Sequence, residues 1–183
     1  KRIGYVARLD NKEFVVIDGV EHKSYDSVVT GPFFSPDSKN FAYAARPDYR
    51  TIVVLNSEER KTHDEVAKRG VFFSPDSQHL AYIARSQNKW SVYLDGEKGK
   101  DYDEIKRRSF CFRPDSKEIA YAARLEKKWV IISGAKQSEL YDDIVKGTLK
   151  YSPDSQKLAY AARVINNRFV VENGTKHKKY STI

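Results

Sequence analysis

The sequence predicts an all-β fold built from copies of one four-stranded antiparallel sheet. A proline recurs every 39 residues inside four closely similar segments, FSPDSK, FSPDSQ, FRPDSK and YSPDSQ, at Pro36, Pro75, Pro114 and Pro153. A fixed period of this size is typical of stacked supersecondary units. Each period also contains short runs of aromatic and β-branched residues that are bounded by turn residues, which is the pattern of strands.

One copy reads as four strands, A to D, represented by GPFFS, NFAYAAR, TIVVLN and KTHDEV. Between A and B, Ser-Pro-Asp-Ser places proline at the fixed φ that a type I turn requires, followed by an aspartate that can bond to nearby backbone. Between C and D, residue pairs of the Asp-Gly type predict two-residue hairpins. These pairs are Asp18-Gly19, Asn56-Ser57, Asp95-Gly96, Ser133-Gly134 and Asn173-Gly174. Each copy is therefore predicted to be an antiparallel meander.

Strand B indicates how the copies pack. It carries a tyrosine flanked by alanines, at Tyr5, Tyr43, Tyr82, Tyr121 and Tyr160. Because neither pleat face is polar, both faces are expected to be covered by neighbouring copies. Four-stranded sheets that stack face to face in this way are typical of a β-propeller.

The number of copies favours five blades in one domain. Strands B, C and D occur five times, whereas strand A occurs four times, so the first blade is predicted to lack its inner strand. A propeller with more blades, of which this chain is a part, is the alternative. The predicted blades cover residues 1–29 (incomplete), 30–67, 68–106, 107–146 and 147–183.

The repeat resembles the bacterial WD40-like β-propeller repeat, the PD40 or TolB type, over the whole chain. That family usually has glycine after Ser-Pro-Asp, whereas Ser38, Ser77, Ser116 and Ser155 stand here, and a type I turn admits serine. The resemblance implies a propeller and a bacterial protein, favours a periplasmic or secreted location, and is compatible with a scaffold role. It does not imply an activity, because propellers carry many unrelated functions.

Composition narrows the functional classes. The 33 Lys and Arg residues exceed the 25 Asp and Glu residues, which gives a formal charge of +8 and favours anionic partners. No apolar run approaches the roughly 20 residues that a membrane span needs. The single cysteine, Cys111, excludes an internal disulfide, and we interpret it as a small buried apolar residue.

No catalytic residue, metal ligand or cofactor is predicted, and we expect a protein that is not an enzyme. The recurrent aspartates are members of the repeat, and we interpret them as turn caps and as partners of nearby arginines. No phosphate-binding glycine loop or nucleophile elbow is present. The four histidines, His22, His63, His79 and His177, fall at unrelated repeat positions, so a metal cluster is not expected.

The candidate ligand-binding residues are cations in the B–C and D–A loops, which lie at the same end of each meander. One arginine ends every B strand: Arg8, Arg46, Arg85, Arg124 and Arg163. Acidic residues at the ends of the D strands could instead pair with these arginines, so both interpretations stay open. Arg107 and Arg108, in the segment KRRS, are stronger candidates because the fold does not require them; AKRG, at residues 67–70, is similar.

Trp90 and Trp129 are either core residues of strand C or stacking surfaces for a ligand. The first functional hypothesis is a binding or scaffold module for an acidic peptide or protein. The alternative is a lectin-like or polyanion-binding propeller that takes a carbohydrate or an anionic polymer. Nucleic acid is disfavoured, because the cations are not interleaved with exposed aromatic residues. A propeller hydrolase is the third hypothesis.

Overall fold

Antiparallel strands account for all the regular structure of the computed structural model, which describes residues 2–180. The chain divides into two units, the first ending at Asp101 and the second beginning at Tyr102. Lys1 and residues 181–183, which belong to the predicted first and fifth blades, lie outside the described residues. Within residues 2–180, no helix is long and apolar enough to cross a membrane.

The first unit contains three sheets. The first sheet has three strands in the described residues: β1 (Gly4–Leu9), β2 (Lys12–Ile17) and β3 (Val20–Glu21). The second sheet consists of β4 (Ser27–Phe34), β5 (Phe41–Arg46), β6 (Thr51–Leu55) and β7 (Glu58–His63). The third sheet consists of β8 (Glu65–Phe73), β9 (Leu80–Ser86), β10 (Lys89–Leu94) and β11 (Glu97–Lys98).

The second unit contains two sheets. The fourth sheet of the chain consists of β12 (Glu104–Phe112), β13 (Ile119–Leu125), β14 (Lys128–Ser133) and β15 (Lys136–Gln137). In the fifth sheet the A strand is split into two short pieces that both pair with β18. That sheet consists of β16 (Asp143–Ile144), β17 (Lys150–Tyr151), β18 (Leu158–Val164), β19 (Asn167–Glu172) and β20 (Thr175–Tyr180).

The four-stranded meander and its order, A to D, are confirmed, because consecutive strands pair in each sheet. The B-strand tyrosines of sheets two to five are buried: Tyr43, Tyr82, Tyr121 and Tyr160. Tyr5 differs and is 53% exposed. It lies on β1, whose only partner strand in the described residues is β2.

The sheets begin a few residues before the approximate blade boundaries that were predicted. Those after residues 29, 67 and 106 fall inside β4, β8 and β12, and the fourth separates β16 from β17. The sheets change earlier, after the Tyr-Asp or His-Asp step. At that step the Asp64 N–H already donates to the Arg85 carbonyl of the next sheet, at 2.9 Å. This bond pairs Asp64 with strand B of the following sheet. The last residues that were assigned to strand D, Glu65 and Val66, therefore belong to the next strand A.

Turns of both predicted kinds, the A–B turns and one C–D turn, also differ in detail. Ser38, Ser77, Ser116 and Ser155 follow the two central turn residues and have φ between 61° and 66°, in the left-handed region that favours glycine. Ser38 N–H closes its turn onto the Ser35 carbonyl at 2.8 Å. In the fourth sheet, β14 includes Ser133, so the C–D turn is Gly134-Ala135 rather than Ser133-Gly134.

Candidate functional site

Two β-bulges present adjacent cations at equivalent repeat positions. In β8 the pairing register shifts between Val66 and Val71, and in β12 it shifts between Ile105 and Phe110. Extra residues in one strand leave the ladder and point outward. The bulge of β8 exposes Lys68 and Arg69, and the bulge of β12 exposes Arg107 and Arg108. The sequence marked both segments as departures from the repeat but did not reveal that they are bulges.

The second cation of each bulge has a backbone conformation that side chains rarely adopt. Arg69 has φ of 59° and Arg108 has φ of 60°. A left-handed conformation costs a residue other than glycine roughly 1–2 kcal/mol. In the first unit the bulge is held by a hydrogen bond from the Arg69 N–H to Thr30 Oγ1 of β4, at 3.1 Å. The surrounding sheet therefore fixes the direction in which the cations point.

These four bulge cations differ from most other basic side chains in having no acidic partner. Across residues 2–180, no carboxylate forms an ion pair with Lys68, Arg69, Arg107 or Arg108. The equivalent positions of the second sheet hold uncharged Val29 and Thr30. The fifth sheet holds exposed Lys146 and Gly147 there, so a pair of adjacent cations is a property of individual copies and not of the repeat.

Two of the repeated arginines pair with acids of their own sheet. Arg85 Nη2 lies 3.1 Å from Glu65 Oε2, and Arg124 Nη2 lies 3.2 Å from Glu104 Oε2. The interpretation that acidic residues pair with the repeated arginines therefore applies to Arg85 and Arg124. The acids were expected at the end of strand D, and they lie in the strand A that follows it.

The remaining three repeated arginines have weaker, neutral partners. Arg46 Nε donates to Thr51 Oγ1 at 3.3 Å, and Arg163 Nη1 donates to the Ile165 carbonyl at 3.0 Å. Arg8 Nη2 donates to Asn11 Oδ1 at 3.4 Å. Arg8 and Arg163 thus contact the B–C turn of their own sheet, and Arg46 contacts the first residue of β6. Among the described residues, none of the three forms an ion pair with a carboxylate.

The two tryptophans lie beside cations. The Arg85 guanidinium lies 5.7 Å from the ring centre of Trp90, which is half-buried. Trp129 is only 8% exposed, and Lys106 Nζ and the Arg124 guanidinium lie 4.4 Å and 5.9 Å from its ring centre. Lys106 also pairs with Asp143. Trp129 therefore belongs to the core of the second unit, packed under cationic side chains.

The aspartates of the Tyr-Asp and His-Asp steps act mainly as turn caps. Asp64 Oδ2 accepts the Gln87 N–H at 2.9 Å, and Asp103 Oδ2 accepts the Glu126 N–H at 2.6 Å, each in the B–C turn of the next sheet. Asp142 accepts the Ile165 N–H in the same way and pairs with Lys128, which is the main reason that its pKa is lowered. The expected pairing with arginine occurs between Asp64 and Arg50, whose Nη2 lies 3.8 Å from Asp64 Oδ1.

The aspartates of the A–B turns cap those turns, as the sequence predicted. Asp37 Oδ1 accepts the Ser35 hydroxyl at 2.6 Å and the Lys39 N–H at 3.0 Å. These hydrogen bonds, that of Ser35 first, lower the pKa of Asp37. Asp154 is held in the same way by Ser152. Such hydrogen-bonded, ionised carboxylates are suited to fixing a loop and poorly suited to donating a proton.

His63 is a buried histidine that occupies the place of Tyr25, Tyr102 and Tyr141 in the other copies. Its ring nitrogens lie 3.3 Å from the Tyr82 hydroxyl and 3.4 Å from Ser86 Oγ. Burial, and secondarily the Arg50 charge, lower its pKa to about 4. Among the described residues, no group of three His, Cys, Asp or Glu side chains could hold a metal ion.

Known structures share this architecture. No family model and no curated protein sequence matches the chain. TolB from Acinetobacter baumannii is similar with a TM-score of 0.54 and 16% identity, over 96% of this chain and 50% of TolB. A eukaryotic initiation factor is similar with a TM-score of 0.61 and 13% identity, over 98% of this chain and 52% of the factor.

The β-propeller domain of the trilobed protease from Pyrococcus furiosus is also similar, with a TM-score of 0.58 and 13% identity, over 96% of this chain and 67% of that domain. This chain spans about half the length of TolB and of the initiation factor. Identities this low establish the architecture and not the activity. The chain therefore has the fold of a TolB-like β-propeller, built from four-stranded antiparallel blades.

Proposed function

We propose that this chain is a non-catalytic binding module that engages acidic segments of a protein partner, with the adjacent cations of each bulge forming a contact site of their own. The observation that carries the proposal is the exposure of adjacent, unpaired cations: Lys68 with Arg69, and Arg107 with Arg108. Elsewhere, many cations of the chain already have carboxylate partners, as Arg85 and Arg124 do. The bulge cations keep their charge available to an external anion.

The backbone geometry supports the same proposal. Unusual φ angles cluster at functional sites, where the surrounding structure holds them in place. Arg69 and Arg108 have such angles, and glycine would occupy these positions without strain, as Gly147 does at the equivalent position of the fifth sheet, with φ of 79°. Arginine at these positions is less favourable for the stability of the fold than glycine would be. We therefore assign its role to the positive charge, which a partner could bind.

The formal charge of +8 supports an acidic partner over a neutral one. Arg8, Arg46 and Arg163 form no ion pair with a carboxylate of the described residues, and they add to the positive potential at the B–C ends of their sheets. Trp90 supplies a half-buried aromatic edge beside Arg85. Charges arranged in this way mainly raise the association rate and favour a partner of negative charge.

The test measures binding of a fluorescent poly-glutamate peptide at low and at high ionic strength. Each exposed charge pair contributes roughly 0.2–1 kcal/mol, so reversing two charges should weaken binding by at least about twofold at low salt. The variants are Lys68→Glu with Arg69→Glu for one bulge, and Arg107→Glu with Arg108→Glu for the other.

The matched control is Lys100→Glu with Lys117→Glu, which changes the net charge equally at exposed positions, one in the segment after β11 and one in the A–B turn of the fourth sheet. The proposal requires that both bulge variants bind more weakly than this control at unchanged melting temperature. Equal losses in all three variants would show a diffuse charge effect and overturn it. Tighter binding of a sulfated polysaccharide than of poly-glutamate would favour the polyanion alternative and would also overturn it.

A further inference from the structure

Three departures from the repeat converge in the second unit, beyond the end of β12 that lies opposite its bulge. Arg113 stands where the other A–B turns have Ser35, Ser74 and Ser152. Ser133 pairs with Ala120 across the sheet, at the register position that Leu55 and Leu94 occupy opposite Ala42 and Ala81. Tyr151 ends a strand A that ends in Phe34, Phe73 and Phe112 in the other sheets. All three residues lie at the A–B and C–D ends of the fourth and fifth sheets.

A cavity of about 470 Å³ lies where these residues meet. Pockets for small ligands typically measure roughly 300–1,000 Å³. Its walls come from the β14–β15 hairpin of the fourth sheet and from the fifth sheet. Besides the three departures, the walls include Glu118, Lys136, Gln137, Gln156, Leu158, Tyr160 and Asn173.

The equivalent place in the first unit is filled, which explains why the cavity exists. There Leu55 and Phe73 pack against a core cluster that contains Leu80 and Tyr82. In the second unit Leu158 and Tyr160 take the places of Leu80 and Tyr82. The short side chain of Ser133 removes most of the leucine volume, and its hydroxyl bonds to the Tyr151 hydroxyl at 2.8 Å. Ser133 and Tyr151 thus replace the apolar pair Leu55 and Phe73, and they leave an open cavity with two hydroxyl groups in its wall.

The charges around the cavity compensate each other. Arg113 Nε lies 2.7 Å from Asp115 Oδ1, and Arg113 Nη1 lies 3.1 Å from Glu118 Oε2. Lys136 is exposed and adds one positive charge. Two cations and two carboxylates therefore meet at the cavity, so its chemistry does not select a strongly charged ligand.

The other groups around the cavity suit a ligand with many hydroxyls. Gln137 contributes an amide that donates and accepts hydrogen bonds, and the Ser133 and Tyr151 hydroxyls have capacity beyond their mutual bond. The amides of Gln156 and Asn173 already bond to the backbone of the fifth sheet, which fixes their positions and leaves them part of their capacity. Tyr151 and Tyr160 contribute aromatic surface, which packs against apolar C–H groups. An apolar ligand would leave these polar groups without partners, and that is unfavourable.

We propose that this cavity is a second binding site, distinct from the bulges, which takes a neutral polyhydroxylated ligand of monosaccharide to disaccharide size. The fold does not require Arg113, Ser133 or Tyr151. Other copies form the same sheets with serine in place of Arg113 and phenylalanine in place of Tyr151, and with leucine, isoleucine or glutamate in place of Ser133. Their convergence on one cavity is what a site for recognition requires.

The experiment is an NMR titration of the isotope-labelled chain with maltose, lactose and cellobiose as probes. The expected result is a saturable shift of the backbone amides of Ser133, Gln137 and Tyr151 by at least one of the three sugars. The decisive variant is Ser133→Leu, which installs the residue that the second and third sheets have in Leu55 and Leu94 and fills the cavity. We expect it to raise Kd at least about tenfold while keeping the urea midpoint equal to or above that of the parent chain.

Tyr151→Phe is a second variant that keeps the volume and removes one hydroxyl, and it should also weaken binding. The variant Arg107→Glu with Arg108→Glu is the matched control and should bind the sugar normally, because the two proposed sites share no residue. Absence of a saturable shift with all three sugars would overturn the proposal. So would equal affinity of the parent chain and both cavity variants.

Discussion

The Ser77 hydroxyl accepts a hydrogen bond from the Asp37 N–H, 3.0 Å away in the A–B turn of the preceding sheet. The same bond joins Ser155 Oγ to the Asp115 N–H, at 3.1 Å, in the second unit. Each of these serines has a left-handed φ, so it stands where glycine is sterically preferred and supplies a hydroxyl that glycine lacks. The serine that departs from the family pattern therefore links consecutive sheets.

This link predicts different effects for two substitutions at residue 77. Ser77→Ala removes the hydrogen bond and keeps a side chain in the left-handed region, so we expect a loss of about 1 kcal/mol in the free energy of unfolding. Ser77→Gly removes the same bond and relieves the strain, so we expect a smaller loss. Urea denaturation measures both, and an alanine variant at least as stable as the glycine variant would contradict the interpretation.

Burial of His63 predicts that stability depends on pH. Its pKa falls from 6.5 to about 4 on folding, so the unfolded chain binds the proton more tightly. As far as His63 is concerned, the free energy of unfolding is highest above pH 6.5. It falls as the pH drops toward 4, by roughly 3 kcal/mol at most, because protonation then favours the unfolded chain. The check is the urea midpoint measured between neutral pH and pH 4.5.

The control for this prediction is His63→Tyr, which installs the residue of Tyr25, Tyr102 and Tyr141 and cannot titrate in this range. The carboxylates of the chain titrate in both proteins, so the difference between the two pH profiles isolates His63. If both proteins lose stability in parallel, His63 is not the source of the pH dependence.

The sequence predicted the meander because period, strand composition and turn residues are local signals. It misplaced the change from one sheet to the next, because that change depends on the bond between Asp64 and the distant carbonyl of Arg85. It identified Arg107 and Arg108 as departures from the repeat. It did not identify the cavity, although Ser133 in place of Leu55 and Leu94 was readable. The convergence of Arg113, Ser133 and Tyr151 requires the packing of two sheets, which no single segment encodes.

The pair formed by Arg124 and Glu104 should contribute little as an ion pair. Both side chains are substantially exposed, so their coupling energy in a double-mutant cycle should be under about 1 kcal/mol. Arg124→Ala should cost more than Glu104→Gln, because Arg124 also covers the ring of Trp129 at 5.9 Å. Equal costs would show that packing on Trp129 adds nothing. Urea denaturation of the two single variants and the double variant provides the measurement.

Arg108 should limit stability while supporting binding. With φ of 60°, it occupies a conformation that glycine adopts freely, so Arg108→Gly should raise the free energy of unfolding by up to about 1 kcal/mol while weakening binding of poly-glutamate. Arg107→Gly is the matched control: Arg107 is outside the left-handed region, so glycine there should lower stability by about 0.5–1 kcal/mol. Urea midpoints and peptide titrations on the same samples separate the two effects. A less stable Arg108→Gly variant would show that the arginine side chain supports the bulge itself, and its charge would then need no external partner to explain it.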